Sequence, residues 1–138
     1  MQCACVSGQI SLVIFFLDKG AKVHLKDGLG ETPLYCAVKG RHHKIVELLI
    51  ERGADVKDGN AECVTPLSLA CANGDKQMVN LLLDFGSNPM TPDTRGITPF
   101  FTSCAQGHKD IVKILLQVRK RKTKLANLSL GIFWPFIN

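Results

Sequence analysis

Residues 65–86 read TPLSLACANGDKQMVNLLLDFG. Thr65 is a good helix N-cap, because its hydroxyl can accept from the first free amides, and Pro66 is tolerated at the first helical position. Leu67, Leu69, Ala70 and Cys71 then predict a short helix with a small-residue face, which Asn73-Gly74 breaks. Met78, Val79, Leu81, Leu82 and Leu83 predict a second helix with a broad apolar stripe. Gly86 stops it, as a glycine just past a helix end does. About a dozen residues of turn chemistry follow before the next Thr-Pro.

The pattern recurs on both sides. Thr32-Pro33-Leu34, Thr65-Pro66-Leu67 and Thr98-Pro99-Phe100 are each 33 residues apart. Gly20, Gly53 and Gly86 keep the same step, as do Ile45-Val46, Met78-Val79 and Ile111-Val112. Gly8, Gly74 and Gly107 share one place, with Arg41 in the fourth position of that series. Each unit is helix, turn, helix, then a turn-like extension. One such pair cannot bury its own apolar face, so the units need to stack.

The 33-residue spacing and the Thr-Pro-Leu start resemble the ankyrin repeat. The stretches GRHHKIVELLIERGADV and GHKDIVKILL carry the likeness most clearly. The resemblance implies an all-α repeat solenoid of stacked helix-turn-helix units with short β-hairpin fingers. The units expected are residues 1–20, 21–53, 54–86 and 87–117, within a repeat domain of residues 1–118. Residues 119–138 form a basic, then apolar, tail.

Several places depart from the family pattern. The family's His after Thr-Pro-Leu is replaced by Tyr35, Ser68 and Phe101. Arg41 stands where the inter-helix turn has glycine, with Gly40 beside it expected to take up the positive φ. Cys63 replaces a finger glycine that Gly30 and Gly96 retain. Pro89 and Pro92 stiffen the fourth finger. The first helix is expected to be short and uncapped. The first unit carries residues 12–17, LVIFFL, where a solenoid end is normally polar, and the last lacks a Gly-Ala after Leu116. Together these suggest a piece of a longer repeat array.

Charge bears on the class of partner. The chain has 138 residues and a formal net charge of +5. Five of its seventeen basic residues are Arg119, Lys120, Arg121, Lys122 and Lys124, which leaves residues 1–118 with twelve bases against twelve acids. A neutral body lacks the electrostatic footprint of a phosphate-binding protein and argues against nucleic acid. No run approaches the roughly 20 apolar residues that span a bilayer. Residues 12–17 lack the flanks of a signal peptide. An intracellular protein, cytoplasmic or nuclear, is the expectation.

Six cysteines raise the question of disulfides or metal. Cys3 and Cys36 are 33 apart, and so are Cys71 and Cys104, with Cys5 at their place two units earlier. Repeat register therefore predicts small core residues. Cys3-x-Cys5 lacks zinc-ligand spacing. His42-His43 do not share a helix face and are expected to face solvent. There is no phosphate loop, nucleophile elbow or zinc helix. No catalytic residue, cofactor, metal or small-molecule substrate is expected.

The resemblance implies binding of a partner protein along a concave face made by fingertips and first helices. The variable places there are Lys26, Leu29, Glu62 and Arg95 at the fingers, and Tyr35, Lys39, Ser68, Ala72, Phe101 and Ala105 on the helices. Two other readings remain. One is a nuclear regulator whose basic cluster serves nuclear import or works near nucleic acid. The other is a cytosolic repeat fragment of a larger membrane-skeleton or channel protein. For the tail itself three roles compete: a solvated extension whose apolar end folds back as a cap, an import signal, or weak membrane contact through Phe133, Trp134 and Phe136.

Overall fold

The computed structural model describes the backbone of residues 1–137 and the side chains of residues 1–126. Four helix pairs follow one another: α1 (Gln2–Ser7) with α2 (Ile10–Asp18), α3 (Pro33–Lys39) with α4 (His43–Glu51), α5 (Pro66–Asn73) with α6 (Lys76–Asp84), and α7 (Pro99–Ala105) with α8 (Lys109–Ile137). Each first helix packs on its own second helix and on the next first helix, so α1, α3, α5 and α7 form one layer. The second helices form the other.

The Thr-Pro starts behave as their chemistry dictates. The hydroxyls of Thr32, Thr65 and Thr98 accept from the amides of Tyr35, Ser68 and Phe101 at 3.1, 3.2 and 3.1 Å. Met1 caps α1 without a side-chain hydrogen bond, as the missing Thr-Pro predicts. The core is one continuous strip. Leu34, Val46 and Leu49 of the second unit and Leu67, Val79 and Leu82 of the third are fully buried in it. Burying each such side chain contributes about 1.5–3 kcal/mol, and it is the neighbouring unit that completes the burial.

The stack is the all-α repeat solenoid expected; strands of the β-hairpin fingers are not resolved among the described residues, where each finger is a hydrogen-bonded turn. One expectation about the backbone is corrected. Gly40 keeps φ −79°, and Arg41 itself takes φ 60°. Gly40 is required for a different reason, since a Cβ there would collide with the Val6 carbonyl oxygen, and only glycine allows the first two units to approach so closely. The basic segment is a solvated helical extension, and the fold-back expected of the apolar end falls on side chains outside the described residues. α8 runs through the expected boundary at residue 118 without a break, and residues 119–126 are exposed. The side chains of Phe133, Trp134 and Phe136 lie outside the described residues.

Candidate protein-binding surface

The fingertips are built by three polar side chains, again 33 residues apart. Asp27 Oδ1 accepts from the amides of Leu29 and Glu31, each at 2.9 Å. Asn60 Oδ1 does the same for Glu62 and Val64 at 3.0 Å, and Asp93 Oδ1 for Arg95 and Ile97 at 2.9 Å. The backbone closes the same turn, with the amides of residues 27, 60 and 93 donating to the carbonyls of residues 31, 64 and 97. The sequence reading missed these three residues. A short polar acceptor two places before each tip, at constant step, was the available signal.

Neighbouring fingers are joined through their backbones. The Ala61 amide donates to the Leu29 carbonyl at 3.2 Å, and the Thr94 amide to the Glu62 carbonyl at 3.0 Å. The approach is close enough that a Cβ on Gly30 would meet the Ala61 nitrogen at 2.6 Å. The result is a row of exposed tips: Leu29, 64% accessible, then Glu62 and Arg95. Lys26, also exposed, pairs with Asp58 and donates to the Gly59 carbonyl. The Arg95 guanidinium forks onto Asp93 at 3.2 and 2.9 Å. The Asp93 carboxyl is held below its ordinary range, first by the Ile97 amide and then by Arg95.

The first-helix row is only partly as expected. Lys39, Ala72 and Ala105 are exposed at one place in register, together with Val6, 40% accessible, which the sequence reading overlooked. Tyr35 and Ser68, by contrast, are buried at 5% and 8% exposure. Each is covered by the unit that follows. Asn60 Nδ2 reaches the Tyr35 hydroxyl at 3.4 Å, and the Ser68 hydroxyl lies 3.5 Å from that of Thr102. Phe101 occupies the same place in the last unit and is 58% exposed. Tyr35 and Ser68 therefore belong to inter-unit joints, and Phe101 alone of the three presents a surface.

Histidines also join units. His42 Nε2 meets the Val6 carbonyl at 2.8 Å, and His108 at the equivalent place meets the Ala72 carbonyl at 3.4 Å. His43 Nε2 meets Asp75 Oδ1 at 3.0 Å. Neither His42 nor His43 simply faces solvent. Of the cysteines placed in the core by register, Cys5, Cys36 and Cys71 are buried, whereas Cys3 and Cys104 are exposed along with Cys63. Cys3 and Cys104 lie on the first and the last of the four helix pairs described.

Asp27, Glu31 and Cys36 bring possible metal-ligating atoms within 4.8 Å of one another. These groups already satisfy each other. Lys39 Nζ donates to both Glu31 oxygens at 3.0 and 3.2 Å, and the Cys36 thiol donates to Glu31 Oε2 at 3.6 Å. Burial first, and Glu31 second, push that thiol up to about 12, away from the thiolate a metal requires. On the opposite layer, a groove of about 500 Å³ between α4 and α6 is lined by charged, amide and apolar side chains such as Glu47, Gln77 and Leu81. No hydroxyl or thiol nucleophile lines it.

A family model for ankyrin repeats, three copies long, matches residues 1–93 and again residues 67–128. The chain belongs to the ankyrin-repeat family. Ankyrin repeats are generally protein–protein interaction modules and typically non-catalytic. Among curated proteins no match was found. In this ankyrin-repeat chain no helix among the described residues is long and apolar enough to cross a membrane.

Proposed function

We propose that the chain is a non-catalytic module that holds a partner protein along the side formed by its fingertips and first-helix ends, inside the cell. One observation carries this reading. Two parallel rows of exposed side chains run across the units at fixed register, Leu29–Glu62–Arg95 and Val6–Lys39–Ala72–Ala105, and the chemistry changes from unit to unit while the scaffold beneath repeats. A repeated scaffold with unlike surface residues suits recognition of one extended partner. Phe101, large and 58% exposed, is the natural anchor.

Affinity capture with the full chain, followed by titration of each captured protein, tests the reading. Phe101→Ala and a Leu29→Ala/Arg95→Ala pair are each expected to weaken binding at least tenfold. Asn80→Ala, at an exposed place on the second-helix layer, should leave it unchanged. Partners indifferent to the first two variants, or sensitive only to the third, would refute the proposed face.

A second reading rests on Arg119, Lys120, Arg121, Lys122 and Lys124, all exposed on α8. Such a cluster is the kind that import receptors read. Changing all five to Gln retains helix-forming residues. Nuclear entry that persists in this variant would remove the nuclear-regulator reading and leave partner binding untouched.

A further inference from the structure

Most hydroxyl groups of this chain serve the fold. Thr32, Thr65 and Thr98 cap helices. Ser68 and Ser103 are buried and hydrogen-bonded, the first to the next unit and the second to its own helix. Among the described serines and threonines, Ser7, Ser11, Thr94 and Thr123 are exposed. Their surroundings differ in charge. Ser7 and Ser11 have no basic side chain within four places along the chain. Thr94 stands between Asp93 and Arg95, which pair with each other. Thr123 alone of these four follows an unbroken run of cations, Arg119 to Lys122, and has Lys124 after it.

The local structure leaves this hydroxyl open. Residues 119–126 of α8 are all exposed. The charges themselves keep the stretch in water, because burying a cation without a partner is costly. The Thr123 hydroxyl donates to the Arg119 carbonyl, one turn back, at 2.9 Å. A bond of this kind adds nothing to the joints between units and slightly weakens the helix that holds it. A helical turn without tertiary packing is marginal in water. Opening it here uncovers no buried residue and releases the hydroxyl proton from its carbonyl.

We propose that Thr123 is a phosphorylation site for a serine/threonine kinase whose peptide groove is acidic. Such a groove takes the segment in extended form and pairs with Lys120 and Arg121, three and two places before the acceptor. The phosphoryl donor is ATP. The Thr123 oxygen attacks the γ-phosphorus, a new O–P bond forms, the bond to the bridging oxygen breaks, and ADP leaves with that electron pair. The hydroxyl proton passes to a carboxylate of the kinase. The added group carries about −1.5 to −2 charges at pH 7. It lies at the i−4 and i−3 spacing from Arg119 and Lys120, which brings helical side chains together. Nearly two of the cluster's five positive charges are thus cancelled, and its hold on an acidic surface weakens. Control of nuclear entry by this route rests on the import reading above; the modification itself does not.

The full chain, its Thr123→Ala variant and a Lys120→Ala/Arg121→Ala variant are each incubated with ATP and a purified kinase that selects basic residues ahead of its acceptor. All three substituted residues are exposed, so the variants keep the fold. Mass spectrometry should find one phosphate per chain, at Thr123, and none on Thr123→Ala. The double variant should be phosphorylated at least about tenfold more slowly, the loss expected when two charge pairs with the groove are removed. On immobilised heparin, a polyanion, the phosphorylated chain should elute at lower salt than the unmodified chain. No incorporation overturns the proposal. So does phosphate on Ser7, Ser11 or Thr94 at the same rate as on Thr123, a rate indifferent to the double variant, or an unchanged heparin elution. None of these readings involves nuclear entry, so they hold or fail independently of the five-residue Gln variant.

Discussion

His43 Nε2 lies 3.0 Å from Asp75 Oδ1, and the same oxygen accepts the Met78 amide at 3.1 Å. One carboxylate therefore caps α6 and ties the second unit to the third. Asp75→Ala removes both links and is expected to cost about 1–2 kcal/mol, the usual range for a lost cap with an added hydrogen bond. Asp75→Asn keeps a cap and should lose less than half as much. Urea denaturation of the two variants distinguishes them, and equal losses would show that the cap contributes nothing.

Ser87 is 3% exposed and its hydroxyl has no hydrogen-bond partner among the described residues. It stands at the place held by Ala21 and Ala54 in earlier units. Burying a hydroxyl without a partner costs about 1–3 kcal/mol. Ser87→Ala keeps the backbone and removes the orphan, so it should raise stability by about 1 kcal/mol. Thermal unfolding would register this as a higher Tm, and an unchanged or lower Tm would contradict it.

Cys63 and Arg41 hold φ 60°, a left-handed conformation taken by Gly30 and Gly96 at the finger place and by Gly8, Gly74 and Gly107 at the inter-helix turn. A side chain there is strained by about 1–2 kcal/mol, offset in part by the greater chain entropy that glycine loses on folding. Cys63→Gly should therefore stabilise by less than about 1 kcal/mol. Arg41→Gly should gain less still, because Arg41 also donates to the Asn73 carbonyl at 3.1 Å. Chemical denaturation that ranks Arg41→Gly above Cys63→Gly would show that the guanidinium contact is worth little.

The six thiols should divide evenly on exposure to a thiol reagent under native conditions. Cys3, Cys63 and Cys104 are exposed and should react fast, whereas Cys5, Cys36 and Cys71 are buried and should react only through opening of the fold. Mass spectrometry after a short pulse of maleimide reads the count. Three modifications followed by a slow phase is the expected result; six in one fast phase would mean that the stack opens freely.

The same burial makes stability sensitive to alkali. It raises Cys5 to about 11, and Cys36 and Cys71 to about 12, from an unfolded value near 9. Folding favours the protonated thiol, so its contribution is complete below pH 9. It is lost as the pH climbs toward 12, where the unfolded chain alone is ionised. Urea midpoints should hold steady from pH 7 to 8.5 and fall beyond pH 9. The fall should be shallower in a chain with the three buried cysteines changed to Ala.

Much of this molecule was open to reading as a string of letters. Thr32, Thr65 and Thr98, each before proline, mark helix starts by local capping alone, and the 33-residue step makes a stack the only way to bury Leu34, Leu67 and Val79 together. The tips Leu29, Glu62 and Arg95 were legible for the same reason: a turn between helices projects outward wherever it recurs. These are short-range or periodic properties, carried by neighbouring residues.

What only the folded stack decided is which neighbour each place meets. Tyr35, Ser68 and Phe101 are equivalent in register, yet the first two lie beneath the next unit and the third does not. Cys5 and Cys104 differ in the same way. His42 and Asp75 also share one place, and yet His42 bonds back to the unit before it while Asp75 receives His43 from there. Exposure in a repeat protein depends on position along the stack as well as on position within the unit. Burial is supplied by residues some 33 places away, and a local pattern holds no information about whether they are present.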